Sequence, residues 1–597
     1  MKLFILFSEN IEFDLPESNY IILSKFKSHS SRYGHVHEKL EDVHVNDIDF
    51  LKQEELIYDE YTRQLPKSLA DVFISSKTSL YFVMMALENW KITVKRLIEE
   101  YSIEEIVFTE LLDQNFYMPF YEAEGEVTKP LQYEAYDFIS KLLYGFINRN
   151  YPRIEVNIIK KHSVLTLRKR ILARRYGLFI YKVLLQAKLY FKLKINSAAK
   201  IKDILFLSRG LAHSQYIVDY VREFNEQSDI YASDGLRTQG KNKEFLRNSG
   251  LGKDDYIDNI ETTSFLGFLA SVWFVLALLL KYKIVYQHKL KRTDKKYGFP
   301  YSNAVTEMII HSLEAQVYTS GLERLIKRQK KEGARIPKTL ITCEIYTQYA
   351  YFIAELGKKY DIKTIQLISV AMSTGYLPHF FFCDQVLFNQ RKVLEAFKSN
   401  NQYLAHKCDY WGNLTFNECG DIHRKDAGDG VLRVVQFTQP VLDEENDFAI
   451  LDTLLDIKND RQIEITVKPH PRESPEKFSN YDNEVQICSS TISLQAAIEN
   501  ADLALVKFSA VEHYLLNYGI PTIYCAFSQM AKNGISEVIK TGYKGIAFSA
   551  EELKELVVGF PGIVPFYKDF RENEMFKRFE NKGIYYFRNS LLKYINE

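Results

Sequence analysis

Apolar residues along the chain follow two patterns. Some form short continuous runs, and others recur every three or four positions over longer stretches. Short runs of this kind are typical of buried strands, and the longer spacing is typical of helices. The first run, Lys2–Phe7, predicts a strand, Leu80–Tyr101 predicts a helix, and Glu105–Thr109 predicts a second strand. Residues 1–158 are therefore expected to form an N-terminal helical α/β region.

From residue 203 onward, apolar runs alternate with helical patterns in two successive series. The first series contains Ile204–Ser208, Asp229–Ala232, Ile284–Gln287, Thr339–Cys343 and Thr364–Leu367. The second contains Leu432–Phe437, Glu464–Lys468, Val485–Cys488, Leu503–Lys507, Thr522–Cys525 and Gly545–Phe548. Such alternation is typical of parallel sheets with crossover helices. It predicts an α/β fold with two Rossmann-like units over 203–425 and 426–560, followed by C-terminal helices over 561–597.

The most apolar segment is Phe265–Leu280 (FLGFLASVWFVLALLL), and its 16 residues are followed directly by basic ones. A membrane-spanning helix needs roughly 20 residues. Three interpretations stay open at this stage: a buried core helix, a helix lying in the membrane interface, and a true membrane span.

Charge is balanced over the whole chain, with 77 Lys and Arg against 77 Asp and Glu, but it is unevenly distributed. Residues 1–158 carry 27 acidic and 16 basic side chains, whereas Lys160–Lys202 carries 13 basic ones and no acidic one. Residues 159–202 are therefore predicted to form a basic amphipathic segment on an anionic membrane surface. A solvated face packed on the acidic N-terminal region and nucleic-acid binding are the alternatives, and no motif of nucleic-acid-binding folds supports the second.

The six cysteines are scattered without a Cys-x-x-Cys pair, so neither a disulfide framework nor a structural metal site is expected. The N-terminal apolar run is too short for a signal sequence. Together with the basic segment, these features predict a cytoplasmic protein, peripheral on the inner face of the cell membrane.

Candidate binding residues follow directly after the predicted strands, because ligands of open α/β sheets bind outside the carboxyl ends of the strands. After Glu464–Lys468 comes Lys468-Pro469-His470-Pro471-Arg472, in which two prolines stiffen a loop that presents His470. Lys468 and Arg472 favour a phosphate there. After Leu503–Lys507 comes Ser509, at the expected start of a helix that contains Glu512. For both residues, ligand contact and helix capping are the two interpretations.

In the second series the elements follow the order strand, Lys-Pro-His-Pro, strand, Ser-x-x-Glu helix and Gly-x-Pro strand. This order resembles the nucleotide-binding half of GT-B glycosyltransferases, especially bacterial surface-polysaccharide enzymes. The CMP-sugar-using members, the sialyl-, polysialyl- and capsule Kdo transferases, have a His-Pro motif and a later Ser motif that contact the nucleotide. The resemblance covers roughly residues 201–560, and implies that His470 and Ser509 hold the nucleotide. Where some of these families have paired serines, this chain has Phe508-Ser509.

Three acidic residues are candidates for catalysis. Glu344 follows the strand Thr339–Cys343, where related families carry an acidic residue on the acceptor side. Gln439 and Asp443 match a Gln and Asp pair of the capsule Kdo transferases, which implies a nucleophilic or stabilising role for Asp443 and places Gln439 at the donor site. Asp234, in Ser233-Asp234-Gly235, retains part of an acidic motif that supplies the general base in sialyltransferases. Helix capping or an ordinary acidic helix start is the alternative for Glu344 and Asp443.

The sequence thus predicts a glycosyltransferase that moves a sugar from a nucleotide donor to a bacterial surface-glycan or lipid-linked acceptor. By the resemblance the sugar is Kdo or another nonulosonic acid carried by CMP. Neither a cofactor nor a metal is expected, because no Asp-x-Asp follows a strand. The rival interpretations are a CDP-alditol phosphotransferase, a GT-B-type sugar epimerase and a non-catalytic membrane-associated scaffold.

Overall fold

A computed structural model describes most of the 597 residues. The described residues are 1–6, 15–16, 18–24, 36–37, 48–111, 136–161, 180, 183–184, 187–188, 201–224, 226–233, 241–252, 255–297, 301–344, 348–368, 380–411, 430–439, 444–470, 473–489, 492, 494–507, 509, 511–528, 531–532 and 535–578. The chain divides into two compact units, Met1–Leu367 with Pro378–Gln385, and Ile368–Leu377 with Val386–Glu597.

The first unit begins with a parallel sheet of order β3-β2-β1-β4-β5. Its strands are β1 Lys2–Ile5, β2 Tyr20–Leu23, β3 Val36–His37, β4 Glu105–Leu111 and β5 Glu155–Lys161. The helices around it are α1 Ile48–Arg63, α2 Lys67–Ser75, α3 Lys77–Tyr101 and α4 Tyr136–Asn150. Lys2 of the first strand pairs with Tyr20 on one side and with Glu105 on the other, so this strand is central.

Five neighbouring strands of a second parallel sheet have the order β10-β9-β6-β7-β8. These strands are β6 Ile204–Ser208, β7 Ser228–Ala232, β8 Tyr256–Asp258, β9 Thr339–Thr342 and β10 Lys363–Ile368. The accompanying helices are α5 Leu211–Glu223, α6 Lys241–Asn248, α7 Asn259–Thr262, α8 Phe265–Lys281, α9 Gln287–Tyr297, α10 Tyr301–Lys331 and α11 Gln348–Tyr360. Every residue of β6, β7 and β9 is buried, as expected for parallel strands covered on both faces.

The N-terminal sheet shares one hydrophobic core with helices α8 and α10. This core joins Leu3 and Phe108 of the sheet to Phe268, Val275 and Val317 of the two helices. The same contact region contains a buried hydrogen bond from Gln348 Nε2 to Ser76 Oγ, at 2.8 Å. The N-terminal sheet is therefore held by residues that lie 160 to 314 positions later in the sequence, from Phe108–Phe268 to Leu3–Val317.

The second unit contains a parallel sheet of order β15-β14-β13-β16-β17-β18. Two further strands, β11 Gln385–Phe388 and β12 Cys408–Tyr410, pair in parallel with each other. The six strands are β13 Leu432–Phe437, β14 Ile463–Lys468, β15 Gln486–Ile487, β16 Leu503–Val506, β17 Thr522–Cys525 and β18 Ile546–Ala547. The described helices of this unit are α12 Arg391–Asn400, α13 Glu444–Ile457, α14 Leu494–Ile498, α15 Val511–Tyr518, α16 Ser536–Lys540, α17 Ala550–Val558 and α18 Val564–Arg578, with 3₁₀ turns at Gln402–Lys407 and Pro475–Tyr481.

The six-stranded sheet is covered by apolar side chains on both faces. Val434 and Leu505 point into one core, whereas their neighbours Val435 and Ala504 point into the other. This alternation follows from the two-residue repeat of a strand, and burial on both faces explains why these strands read as continuous apolar runs. The predicted α/β fold, with two Rossmann-like units and an additional N-terminal α/β region, is confirmed by these parallel sheets.

One predicted strand is wrong. Ile284–Gln287 lies in a continuous helical segment, in which a π-helical turn, Tyr282–Tyr286, joins α8 to α9. The run Ile-Val-Tyr suits a strand locally, but the helix continues because neither Gly nor Pro interrupts it and because Tyr282 is fully buried in the core. Two other differences are small: the helix predicted from Leu80 begins at Lys77, and the helical tail is described only to Arg578.

Most of the basic segment 159–202 lies outside the described residues. Of the described part, Val183 and Ala187 pack against the core of the N-terminal sheet, and Ile180 and Leu184 are exposed. Its predicted membrane contact stays a prediction, as do the domain boundaries at 158, 202, 425 and 560.

Candidate active site

The carboxyl ends of β6 and β9 bring together a charged cluster in the first unit. Strand β6 leads into β7 and β8 on one side, and β9 and β10 lie on the other, so the strand order reverses between β6 and β9. Arg209 follows β6 directly, and Glu344 stands two residues after β9. Ligands of open α/β sheets bind at such a reversal point. This pair therefore lies where the fold presents side chains to a ligand.

Arg209 and Glu344 form an ion pair through Nε and Oε1, with the carboxylate buried. Arg209 also lies over the ring of Tyr349, with Cζ 5.2 Å from its centre. The backbone of Glu344 is fixed on both sides: its N–H donates to Thr342 Oγ1 at 3.1 Å, and its carbonyl accepts from Gln366 Nε2 at 2.8 Å. The carboxylate predicted at this position is thus held in one orientation by several groups.

His213, in the first turn of α5, is the third member of the cluster. Its Nδ1 lies 3.7 Å from Glu344 Oε1 and accepts a long hydrogen bond, 3.5 Å, from the Arg209 backbone N–H. Burial lowers the pKa of His213, Glu344 opposes the shift, and Arg209 adds to it. A neutral imidazole with its proton on Nε2 fits these contacts, and such a ring is able to accept or relay a proton.

In the second unit, the strand order reverses between β13 and β16, and the predicted nucleotide-binding residues follow three adjacent strands. Gln439 follows β13, His470 follows β14, and Ser509 follows β16. Because these strands are parallel neighbours, their carboxyl ends lie along one edge of the sheet. The structure therefore brings these three residues to the same edge.

Glu473 holds the backbone of His470 against the end of β13. Its Oε2 accepts hydrogen bonds from the backbone N–H of His470, at 3.0 Å, and from the hydroxyl of Thr438. Its Oε1 accepts from Lys477 Nζ at 2.8 Å. Burial by itself raises the pKa of Glu473, but the hydrogen bonds from Lys477 and Thr438 lower it below its usual value. The loop that carries His470 is therefore fixed by a buried, ionised carboxylate.

Lys468 is buried at the end of β14, and its Nζ donates to the carbonyl of Pro469 at 3.0 Å. Burial lowers its pKa. This hydrogen bond joins the side chain of Lys468 to the backbone of the next residue and so orders the start of the loop. The predicted phosphate contact of Lys468 stays a prediction.

Lys507 and Asp447 form a fully buried ion pair beneath this edge, with Nζ and Oδ1 2.8 Å apart. Asp447 belongs to α13, and its Oδ2 accepts from the Gln439 backbone N–H at 3.3 Å. Burial raises the pKa of Asp447 even though the ammonium of Lys507 opposes the shift. The pair joins the ends of β13 and β16 to helix α13, and so fixes the position of Gln439.

Ser509 precedes α15 and is half-buried. Its Oγ accepts from the Val511 N–H at 3.4 Å, and its carbonyl accepts from the Glu512 N–H at 3.1 Å. These contacts begin the helix, and the hydroxyl bond is long enough to be weak. Glu512 is buried in the first turn. Both interpretations of Ser509, helix capping and ligand contact, are compatible with this placement.

Three predicted site residues, Asp443, Asp234 and Arg472, lie outside the described residues. Five charged or titratable residues near these strand ends were not predicted as site residues from the sequence: Arg209, His213, Asp447, Lys507 and Glu473. The signal for Arg209 was its position directly after a buried strand, but its partner Glu344 is 135 residues away. Among the residues that the structure describes, no cluster of His, Cys, Asp and Glu is arranged to hold a metal.

No family model matches the chain, and no curated protein matches it. Several solved structures resemble it at low identity. UDP-GlcNAc 2-epimerase from Neisseria meningitidis, bound to UDP-GlcNAc, is 8% identical, covers 66% of this chain and 100% of its own, and has a TM-score of 0.41. Wall teichoic acid polymerase TagF, in a structure with CDPG, is 12% identical, covers 71% of this chain and 97% of its own, and has a TM-score of 0.37.

Spinosyn rhamnosyltransferase SpnG, complexed with thymidine diphosphate, is 9% identical to this chain. It covers 66% of this chain and 100% of its own, with a TM-score of 0.37. Likenesses at this level do not assign an activity to this chain.

Proposed function

We propose that the chain is a nucleotide-sugar-dependent glycosyltransferase of the GT-B type. The observation that carries this proposal is the placement of the Pro-His-Pro loop and of Ser509 at the carboxyl ends of β14 and β16, on either side of β13. In a parallel sheet this edge is the one that receives ligands. The ordering of the loop by Glu473 gives the edge the rigidity that a binding site needs.

The nucleotide is proposed to bind along this edge, with His470 contacting base or ribose. Ser509 and the N–H groups that begin α15 would contact phosphate, because the N-terminal end of a helix favours an anion. Arg472 is the cation proposed to contact that phosphate. Gln439, held by the Lys507–Asp447 pair, would contact the sugar side of the donor.

The acceptor is proposed to be activated by the cluster at β6 and β9. Transfer forms a bond between the acceptor oxygen and the anomeric carbon, breaks the bond from that carbon to the leaving phosphate oxygen, and removes one proton from the acceptor hydroxyl. Glu344 would orient that hydroxyl and take its proton, with Arg209 fixing the carboxylate and His213 relaying the proton. Asp443 and Asp234 remain the other carboxylates proposed for this reaction.

The finer proposal is Kdo or another nonulosonic acid as the sugar, CMP as its carrier, and a surface-glycan or lipid-linked acceptor at the cytosolic membrane face. It rests on the motif resemblance around His470 and Ser509. No metal or cofactor enters the proposed reaction, and no nucleic acid is a proposed partner.

Thermal unfolding with CMP, CDP, UDP and GDP tests the proposal. A nucleotide that binds the folded chain raises its melting temperature, with a stabilisation of about 2.7 kcal/mol when its concentration is 100 times its Kd. We expect one nucleotide to stabilise the parent chain, and the same shift to be reduced in His470→Ala. Stabilisation by none of the four would favour the scaffold alternative.

His213 favours one second candidate, an alditol phosphotransferase with a CDP donor, because that reaction relies on histidine as base. Stabilisation by CDP alone, followed by release of CMP from a CDP-alditol, would support it. The epimerase alternative predicts interconversion of a UDP-sugar without any acceptor. The glycosyltransferase proposal predicts that turnover requires an acceptor.

A further inference from the structure

Helix α8 and the segment that continues it carry a stripe of large apolar side chains exposed to solvent. The exposed fractions reach 76% for Leu266, 71% for Trp273 and 77% for Ile284. The exposed apolar residues are Leu266, Leu269, Trp273, Phe274, Leu276, Leu280, Ile284 and Val285. Most are separated by three or four positions, so they lie on one face of the helix. Scattered exposed apolar residues are ordinary in proteins, but a continuous stripe of this size marks an interaction surface.

The opposite face of the same helix is packed into the core of the first unit. Phe268, Val275 and Tyr282 are fully buried there, together with residues of the N-terminal sheet. Phe265–Asp294 is long and apolar enough to span a membrane, with a mean hydropathy of 2.0 over its most apolar window, of which 28% is buried. One face of this helix is fixed on a folded body, and its neighbour α10 is polar, with Glu314 and Arg324. Such a helix is better suited to lie along a membrane than to cross it.

Positive charge follows the apolar stripe along the same helical segment. The exposed basic residues are Lys281, Lys283, Lys289, Lys291 and Arg292. No Asp or Glu occurs from 265 to 293. The first acidic residue, Asp294, accepts hydrogen bonds from Tyr61, at 2.6 Å, and from Ser302. An apolar face flanked by cations complements the headgroups and upper acyl chains of an anionic bilayer.

We propose that the exposed face of Leu266–Val285 docks in the plane of an anionic membrane, with Trp273 and Leu280 entering the interface and Lys281 and Lys283 contacting lipid phosphate. This inference does not depend on the proposed reaction. It places a membrane contact on a helix of the first unit, in addition to the contact predicted for the basic segment 159–202.

The tryptophans of the chain make the test specific. Two of the three, Trp90 and Trp411, are buried, whereas Trp273 is exposed. We expect vesicles of phosphatidylglycerol and phosphatidylcholine to shift the emission of the full chain to the blue, and the shift to disappear in Trp273→Phe. Lipids brominated near the headgroup should quench this emission more than lipids brominated near the chain end. Stronger quenching from the chain end would replace docking with a membrane span.

Flotation with the same vesicles measures the affinity. Trp273→Ser with Leu280→Ser should reduce the bound fraction at least tenfold, and Lys281→Gln with Lys283→Gln should weaken binding and reduce its dependence on salt. The matched control is Leu56→Ser with Val558→Ser, which removes two exposed apolar side chains outside the stripe and should leave binding unchanged. Circular dichroism establishes that each variant is folded.

Three outcomes would overturn the proposal. Equal binding to pure phosphatidylcholine would remove the role of charge. No vesicle binding by the parent chain would reject membrane docking. A concentration-dependent dimer in sedimentation that Trp273→Ser abolishes, without vesicle binding, would make this face an interface between copies of the chain.

Discussion

Each of the two large sheets has an ion pair where its strand order reverses, but the two pairs differ in access to solvent. In the first unit, Glu344 is buried while the side chain of Arg209 is 29% exposed. In the second unit, Lys507 and Asp447 are both 0% exposed. The point of strand-order reversal thus carries a pair that reaches the surface in one sheet and a pair closed to solvent in the other.

The difference separates two uses of charge. A sealed pair gains nothing from a ligand, because no ligand contacts it, and it acts by fixing the strand ends around it. In a pair with one exposed partner, the exposed side chain is able to interact with a bound molecule in place of part of its interaction with the buried partner. We therefore propose a structural role for Lys507–Asp447 and a role toward substrate for Arg209–Glu344, and matched substitutions test this proposal.

The largest expected effect is on stability. Asp447→Asn leaves the ammonium of Lys507 buried without a counter-charge, and removal of one partner of a buried pair costs about 3–5 kcal/mol. The matched change Glu344→Gln should cost less, about 1–2 kcal/mol, because Arg209 keeps part of its hydration. Urea denaturation of both variants measures the two costs. Equal costs would contradict this proposal.

The double variant Asp447→Leu with Lys507→Met is the control for this comparison. Replacing both partners of a buried pair by apolar residues is often neutral, so stability should recover most of the loss. If the double variant is as unstable as Asp447→Asn, the loss comes from packing and not from the unpaired charge.

The next effect is on the rate of transfer. Glu344→Gln should reduce transfer by about 10²-fold or more, the usual contribution of a general base, with nucleotide affinity nearly unchanged. Transfer and nucleotide titration measured on the same preparation separate the two quantities. Glu323→Gln, which removes a carboxylate bound by Lys359 and Tyr360, is the control and should keep full activity. Unchanged transfer in Glu344→Gln would move the reaction to Asp443 or Asp234.

A smaller effect is expected on nucleotide binding. His470→Ala and Ser509→Ala should each weaken it by about 1–3 kcal/mol through loss of a contact to the ligand. Ser549→Ala is the matched control, because Ser549 caps α17 through the Glu552 N–H at 3.2 Å. Isothermal titration compares the three variants. An equal effect of Ser549→Ala would reduce Ser509 to a helix cap.

The smallest effect concerns pH. Because the pKa of His213 is lowered in the folded state, the unfolded chain binds more protons between the lowered value and the ordinary one. Its contribution to stability is therefore present above the ordinary imidazole pKa of about 6.5 and is lost as pH falls below it. His213→Gln should flatten the fall of melting temperature between about pH 7 and 5. An unchanged slope would show that another group titrates there.

The local hydrophobic pattern predicted both the first and the last residue of some strands, and it failed for other elements for a physical reason. Ile204–Ser208, Leu432–Phe437 and Thr522–Cys525 match the structure, because buried parallel strands form continuous apolar runs. Ile284–Gln287 was wrong because a β-branched run inside a long helix has the same local pattern as a strand. Strands β8 and β12 have three residues each, so neither contains an apolar run long enough to predict a strand.

The positions of the candidate site residues were predictable where a motif marked them and unpredictable where side chains pair across a long stretch of sequence. Pro-His-Pro and Ser509 follow strands visible in the sequence, so their position along one edge could be foreseen. Arg209 meets Glu344 because β6 and β9 are neighbours, and a strand order of this kind leaves no local signal. Asp447 was missed because it lies on helix α13, whereas its partner Lys507 follows strand β16, 60 residues later.

The core that the N-terminal sheet shares with α8 and α10 also bears on the order in which the chain folds. Leu3 and Ile5 leave the ribosome before the residues that complete their core, which come as late as Val317. During synthesis this sheet remains without part of its packing until Val317 has been made, 314 residues after Leu3. We expect it to depend on chaperones longer than the six-stranded sheet, whose two cores are assembled from residues between 432 and 570.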